Sequence, residues 1–459
     1  MLIGNSAQGS GLKPRENATM NSHNVWAVFL FVLALLIRLA FLTATYPGKD
    51  HVDYMEDVGI AINLLEGHGY VLNFSMIQRD VPIRPTAAKP PIYPLLVSLV
   101  FLAFGIKNFF ALFAIHAFLA AFTCLLLFLC IAKFSHYRAI IAGLASAVYP
   151  PFVYHSVVIP ESTTVTLFVI AFLCYGLMNL FERFSQKRCV LLSVIAGLLA
   201  MTEPVTVPFI IASVFYVAYF ALDSWRKIFS AMGLGALVFT ATIAPWTLRN
   251  YLVFDNVVFI KSNFGSTLKD SLYKSGIRLP QETYSSLRAQ VRGKDELGED
   301  KAITTALLSW IRANPNVYLQ LLPKNFMNFW WEVDRYKNDR STNYLLGRKV
   351  PYILLLVFSL PAVVAVLWRS IFGFANGEAR STRTIYHHIV LMMIFTYTAI
   401  YTAVGAMVLR YHFPVQLGLF LFCADTIFYI STRFNVYPLR FTLSGSRSLI
   451  AGGSDPAHS

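Results

Sequence analysis

The sequence predicts an all-α polytopic membrane protein, on three observations. Hydrophobic residues make up 56% of the chain and charged residues only 14%. Several apolar runs reach about 20 residues, the length that an α-helix needs to cross the bilayer core. These runs are continuous rather than alternating, which excludes a membrane β-barrel. We therefore expect about ten transmembrane helices, with outer juxtamembrane helices and one large outer loop.

The apolar runs divide the chain into membrane and extramembrane parts. The first 23 residues are polar and are expected to form a disordered cytoplasmic tail before an uncleaved first span. Arg38 interrupts that span and is expected to snorkel towards its outer end. The predicted spans are 24–44, 109–131, 138–152, 162–181, 188–203, 205–222, 228–247, 350–369, 386–408 and 412–431. They define an N-terminal transmembrane module (24–247, with outer loop 45–108), an outer subdomain (248–349), C-terminal helices (350–431) and a cytoplasmic tail (432–459).

The apolar run 90–105 decides the orientation. It is short and begins with two prolines. If it crossed the membrane, the basic connections 133–138, 182–188 and 223–227 would lie outside. If it forms a helix in the outer interface, these basic connections lie in the cytoplasm, as the positive-inside rule requires. The net charge of +14 then reports orientation, and no nucleic-acid partner is expected.

The stretch 49–94 concentrates charge beside the membrane, where charge has to be solvated or paired. Its segment 54–66 has the apolar spacing of a helix and should end at Gly67 or Gly69. Asp53, just before it, has two interpretations: a cap of this helix or a catalytic carboxylate. Glu161 is a second carboxylate, in the next outer connection. Two carboxylates on one face suit sugar transfer to a hydroxyl, since one can take the acceptor proton.

A phosphate leaving group would need cations, and those available on the same face are Arg84, Lys89, Arg249 and Arg410. For each of them, lipid headgroup binding or snorkelling is the alternative. No cofactor is required by the pattern. A divalent cation is possible, with Asp53, Glu161 and His155 as candidate ligands, although the histidines His51, His68 and His155 lack ligand spacing.

Four motifs carry a resemblance to a known family. They are D-Y-x(6)-A-x-x-L-L-E-G-H-G-Y from Asp53, R-P-T-A-x-K-P-P-I-Y-P-L-L from Arg84, A-P-W-T-L-R-N-Y-L-V-F (244–254) and L-R-Y-H-F-P-V (409–415). In this order they resemble the polyprenyl-phosphate-sugar-dependent glycosyltransferases of the GT-C type. These are relatives of the protein O-mannosyltransferases and the lipid A aminoarabinose transferases.

The resemblance implies a GT-C fold and roles for individual residues. Asp53 would be the catalytic base, and Glu161 the acidic residue of the second outer loop. Lys89 would lie near the carrier phosphate, with Arg410 and Tyr411 of the last motif also at the donor phosphate. The implied substrates are a polyprenyl-phosphate-linked sugar and a lipid, glycan or protein acceptor. Transfer would be inverting, at the periplasmic face of a bacterial inner membrane.

Two other classes of protein fit the composition. A lipid-linked sugar flippase or other transporter should carry charged residues along a path within the spans. Here the charges concentrate at one face and in the connections. A non-catalytic membrane scaffold gives no reason for acidic residues in both outer loops.

Overall fold

The computed structural model describes residues 13–46, 55–72, 82–277, 280–331, 345–372, 380–405 and 409–434. Helices dominate, as predicted. They are α1 (Lys13–Thr45), α2 (Glu56–Leu65), α3 (Ile92–Phe104), α4 (Phe109–Ala132), α5 (His136–Val148), α6 (Pro150–Val158), α7 (Thr163–Glu182), α8 (Gln186–Ala200), α9 (Val207–Ala221), α10 (Trp225–Phe254), α11 (Phe264–Lys274), α12 (Gln281–Val291), α13 (Glu296–Ala313), α14 (Pro315–Trp330), α15 (Val350–Phe372), α16 (Thr382–Val404) and α17 (Phe413–Arg433). Short helical turns occupy Pro204–Thr206, Leu345–Lys349 and Leu409–His412, and strands β1 (Val71–Leu72) and β2 (Arg84–Pro85) pair antiparallel.

Among the described residues, eight helices are long and apolar enough to cross a membrane. The pair α5 and α6, bent by 49° at its break, makes a ninth span if it is counted as one. The remaining predicted span, 188–203, corresponds to α8, which has 15 residues. An α-helix of that length is only about 22 Å long, shorter than the hydrocarbon core.

Although short, α8 joins the two ends of the bundle. The start of α8 lies at one end of the bundle. There Arg188 Nη1 donates to the carbonyl of Asn179, close to the Lys133–Glu182 ion pair, and we call this end the opposite end, because it lies opposite the candidate site described below. The other end of α8 lies at the end of the bundle that we call the site end. There the carbonyl of Met201, just after the last turn of α8, accepts a hydrogen bond from the amide of Ile92 at the start of α3. If α8 is added to these nine spans, the described residues give ten crossings, the predicted number, although α8 is too short to qualify as a span by its length.

Two helices extend beyond the predicted spans, although the apolar part of the first, Ser22–Thr45, agrees with the predicted 24–44. The first helix begins at Lys13, so the tail expected to be disordered is helical from that residue on. Once a helix is nucleated, each further residue adds a hydrogen bond, and an apolar span can extend into polar sequence. Helix α10 continues to Phe254, past the predicted end at residue 247. The A-P-W-T-L-R-N motif therefore lies on its last turns.

The predicted outer subdomain is helical in the residues that the structure describes. Helices α11 to α14 enclose a small apolar core that includes Leu268, Leu287, Ile303 and Leu307. The stretches expected near 300–313 and 316–331 are α13 and α14, with boundaries close to the prediction. In the transmembrane bundle, α17 is central, since residues 413–426 are all buried.

Helices α2 and α3 follow the sequence pattern. Helix α2 ends at Leu65, and Gly67 takes a positive φ of 81°, which glycine adopts without strain. Its N-cap position is Met55, whose side chain makes no capping hydrogen bond. Helix α3 has 13 residues and is about 20 Å long, too short to span the core. Its length agrees with the predicted interfacial helix.

Candidate active site

Lys89 meets two carboxylates at the start of α2. Its Nζ lies 2.6 Å from Glu56 Oε2 and 3.6 Å from Asp57 Oδ2. Both acidic residues occupy the first turn of α2, where the helix dipole favours negative charge. Asp57 is buried and Lys89 is largely so. The first outer loop thus supplies one cation held between two carboxylates.

A second ion pair joins the second outer connection to the turn before α17. Arg410 Nη1 lies 2.6 Å from Glu161 Oε1, and His155 Nε2 on α6 lies 3.5 Å from Glu161 Oε2. Arg410 also donates to Tyr411 Oη at 3.2 Å, and the Tyr411 ring stacks on Tyr401 at 4.5 Å. The sequence-predicted residues Glu161, His155, Arg410 and Tyr411 are therefore brought together.

The two ion pairs influence each other electrostatically. Burial raises the pKa of Asp57, and Lys89 and Arg410 offset only part of that effect. Burial alone would also raise the pKa of Glu161, but Arg410, His155 and Lys89 together lower it to about 2. Burial acts to lower the pKa of Lys89, yet Asp57 and Glu56 outweigh it and raise that pKa. Lys89 and Glu161 are thus held in their charged forms, whereas burial favours the protonated form of Asp57.

Segment 84–90, which carries Lys89, is held from several sides. Tyr70 Oη donates to the carbonyls of Lys89 and Pro90, at 3.0 and 3.2 Å. On α13, Glu296 accepts from the Thr86 hydroxyl at 2.5 Å and from the Ala87 amide at 2.8 Å. The amide of residue 262 donates to the Ala87 carbonyl at 2.9 Å. These hydrogen bonds hold the backbone of the segment and so fix the position of the Lys89 Cα atom.

Arg84 and Arg249, also expected at the donor phosphate, have other partners. Arg84 Nη2 lies 2.9 Å from Glu299 Oε2 on α13. Arg249 Nη1 and Nη2 donate to the carbonyls of Thr86 and Tyr70, at 2.8 and 3.0 Å. Both guanidinium groups therefore hold the segment around Lys89. Their assignment to the phosphate stays a prediction that this arrangement does not favour.

Several residues of this end were not assigned a role from the sequence. Glu56 and Asp57 were noted only as part of the charged loop. Glu203, 3.6 Å from Lys261 Nζ, was missed although it follows an apolar run, a position where charge is informative. Glu296 and Glu299 were also missed. Their spacing of three residues, which places both on one face of a helix, is the signal that could have found them.

Asp53 and His51 lie outside the described residues, two and four positions before Met55. His68 is exposed, and its Nδ1 lies 3.6 Å from Glu66 Oε2. In the described part of the chain, no group of three or more His, Cys, Asp or Glu side chains could hold a metal ion. The suggested ligand set of Asp53, Glu161 and His155 is untested, since it includes Asp53.

No protein-family model and no curated protein matches the chain. Among solved structures, it is similar to the archaeal oligosaccharyltransferase AglB from Archaeoglobus fulgidus in complex with an inhibitory peptide and a dolichol-phosphate. The TM-score is 0.53 and the identity 14%, over 91% of this chain and 53% of that one. A crystal structure of the Archaeoglobus fulgidus oligosaccharyltransferase with Zn and sulfate gives a TM-score of 0.52 at 15% identity, over 89% and 50% of the two chains.

ArnT from Cupriavidus metallidurans bound to undecaprenyl phosphate gives a TM-score of 0.39 at 11% identity, over 89% of this chain and 79% of that one. The chain spans about half the length of the two oligosaccharyltransferase chains. At these identities the similarity is one of fold. The protein thus has the membrane fold of the GT-C type glycosyltransferases, as its motifs predicted.

Proposed function

We propose that the protein is an integral-membrane glycosyltransferase that moves a sugar from a polyprenyl-phosphate carrier to a hydroxyl acceptor. The observation that carries this proposal is the convergence of Lys89 and Arg410 with Asp57 and Glu161 at the site end of a GT-C fold. The polyprenyl carrier agrees with the dolichol-phosphate bound in the AglB structure.

Lys89 and Arg410 are the cations suited to the carrier phosphate. Both are largely buried, so a charged ligand there would be poorly screened by solvent. In the structure their charges are balanced by carboxylates. A bound phosphate would add negative charge next to Asp57, and this would favour the protonated form of a carboxyl whose pKa burial already raises. Protonation of Asp57 would then leave more of the Lys89 charge for the phosphate.

The transfer exchanges one bond at the anomeric carbon for another and moves one proton. The bond between the anomeric carbon and the phosphate oxygen breaks, and its electron pair stays on the polyprenyl phosphate. The acceptor oxygen bonds to the same carbon, on the opposite face if the reaction inverts, and its proton passes to a carboxylate. We assign that carboxylate to Asp53. The cations Lys89 and Arg410 stabilise the charge that develops on the leaving phosphate.

Glu161 is better suited to holding Arg410 than to accepting the proton. A general base works best when its pKa lies near the working pH. The pKa of Glu161 is lowered to about 2 by Arg410, His155 and Lys89 against the effect of burial. A carboxylate so strongly stabilised in its charged form is a weak base. Its 2.6 Å contact instead orients the Arg410 guanidinium.

The proposed acceptor and location follow from the reaction and from the charge distribution in the sequence. A lipid, a glycan or a protein could supply the hydroxyl. We also propose that the site end faces outside, at the periplasmic face of a bacterial inner membrane, because the basic connections lie at the opposite end. No step in the proposed reaction requires a metal, and addition of a divalent cation is a variable of the assay.

The test is a transfer assay with the purified protein in lipid nanodiscs. A panel of polyprenyl-phosphate sugars is supplied with candidate acceptors, and released polyprenyl phosphate is measured. We expect release with at least one donor. Movement of a lipid-linked sugar across a bilayer without any release would instead support the transporter alternative.

Site variants separate the roles in that assay. Asp53→Asn should lower turnover by about 10² to 10⁴, the usual contribution of a general base. Asp57→Asn is the matched comparison, because it removes the neighbouring carboxylate on α2. If it lost turnover on that scale while Asp53→Asn did not, the base would be Asp57 and our assignment wrong.

Lys89→Met should raise the KM for the donor. Lys227→Met is the control, because Lys227 is an exposed cation near the opposite end, paired with Asp223. Equal donor KM values in the two variants would remove Lys89 from the phosphate site.

A further inference from the structure

Arg38 is completely buried on the first transmembrane helix, seven residues before the helix ends at Thr45. Its exposure is 0%, so it does not snorkel to the membrane surface as the sequence suggested. An arginine inside a membrane protein is costly unless its donors are satisfied, and such residues tend to serve a function. None of the described carboxylates forms an ion pair with it.

The guanidinium group of Arg38 donates to neutral acceptors on three helices. Nη1 donates to the carbonyl of Ala34 at 2.9 Å, on its own helix, and to the carbonyl of Ala147 on α5 at 3.2 Å. Nη2 lies 3.7 Å from Cys124 Sγ on α4. Nε has no hydrogen-bond partner among the described residues. The contact with Ala147 links α1 to the end of α5.

The Ala147 carbonyl is available because the sequence removes its normal partner. In a continuous helix it would accept from the amide of residue 151, four positions on. That residue is Pro151, which follows Pro150, and proline has no N–H. The chain bends by 49° at this point, between α5 and α6. Arg38 thus satisfies a carbonyl that the proline pair leaves unpaired within the buried bundle.

Helix α6 connects this bend to the candidate active site. It begins at the two prolines and carries His155, which lies 3.5 Å from Glu161, the partner of Arg410. Arg38 and His155 also line one small cavity, together with the polar residues Thr123, Ser146, Ser156 and Thr164. A change in the angle at the bend would therefore displace His155 relative to Glu161.

We infer that Arg38 is a positioning residue, which fixes the break between α5 and α6 and so holds His155 and Glu161 against Arg410. Its effect on catalysis rests on the proposed function, but its effect on α6 does not. The experiment therefore measures both. Amide hydrogen exchange in nanodiscs reports the order of residues 147–158, and the transfer assay reports turnover per folded protein.

Three variants of the full chain are compared. Arg38→Met removes every donor while keeping a long side chain, Arg38→Lys keeps one charged donor, and Lys133→Met removes a cation at the opposite end. In Arg38→Met we expect exchange to rise in residues 147–158 and not in α13. Turnover should fall at least about tenfold, since a misplacement of about 1 Å can cost about 10²-fold. Arg38→Lys should recover part of both, and Lys133→Met should change neither.

Two outcomes would overturn the inference. One is unchanged exchange in residues 147–158 of Arg38→Met, whatever its turnover. The other is a uniform rise across all helices including α13, which would make Arg38 a general stability residue. If Arg38→Met does not fold, Arg38→Lys decides the matter in the same way. Raised exchange in a protein whose wild type transfers no sugar would uphold the role of Arg38 and refute the proposed function.

Discussion

Glu161 and Arg410 are 249 positions apart in the chain and 2.6 Å apart in the structure, from Oε1 to Nη1. The pair connects the α6–α7 connection to the turn before the central helix α17. Both side chains are largely buried, with exposures of 14% and 24%. Its partners on either side are His155 and Tyr411. It therefore helps to join the first half of the bundle to the second at the site end.

Removing either partner of this pair should destabilise the protein. Arg410→Ala leaves Glu161 without its principal counter-charge, and breaking a buried pair in this way costs about 3 kcal/mol or more. The double variant with Glu161→Ala leaves no unpaired charge. We expect it to be more stable than the sum of the two single changes predicts, by about 0.5–3 kcal/mol. Denaturant unfolding in detergent measures the three variants, and simple additivity would show that the two residues do not interact.

The stability of the protein should fall in acid because of Glu161. Its pKa in the folded state is about 2, below the ordinary value of 4.5. The stabilisation is present above the ordinary value and is lost as the pH falls towards 2. A difference of this size corresponds to at most about 3 kcal/mol. Glu161→Gln should therefore flatten the pH dependence of the unfolding free energy between pH 4.5 and 2, and identical slopes would contradict this.

Glu296 should anchor segment 84–90 through its acceptor oxygens rather than its charge. Glu296→Ala leaves the Ala87 amide and the Thr86 hydroxyl without this partner, at a cost of about 1–3 kcal/mol for each buried group. Glu296→Gln keeps one acceptor and should lose less. The measurement is thermal stability together with donor KM, since Lys89 is on the same segment. Glu282→Ala, an exposed carboxylate on α12, is the control, and equal losses in it would contradict the anchor.

The two ends of the bundle should differ in access from outside the cell. The described cysteines are all buried, so an introduced thiol can be labelled against a low background. Ser285→Cys on α12, at the site end, should react with a membrane-impermeant reagent in intact cells. Gln186→Cys, at the opposite end, should react only after permeabilisation. Both positions are exposed in the structure. The reverse pattern would invert the proposed orientation.

Much of the fold could be read from local sequence. Continuous apolar runs gave the positions of the spans, because a bilayer forces each crossing segment to satisfy its own backbone. The end of α2 near Gly67 followed from the conformational freedom of glycine. The short α3 followed from the length of the apolar run 90–105 and from the two prolines at its start. The extent of α1 and α10 did not follow, since both helices run on from apolar into polar sequence where hydropathy gives no signal.

The sequence by itself determined which residues could form the site, because a membrane chain carries few charges and the candidates lie in the stretch 49–94, at Glu161 and at Arg410. It predicted that Lys89, Glu161 and Arg410 lie on one face of the membrane. Only the tertiary structure decided the pairings: Glu161 with Arg410, Lys89 with Glu56 and Asp57, and Arg84 with Glu299 on α13. It also decided that Arg38 stays inside. The physical reason is that an ion pair or hydrogen bond depends on distances of a few ångströms between segments far apart in sequence, and these distances are set by how the helices pack.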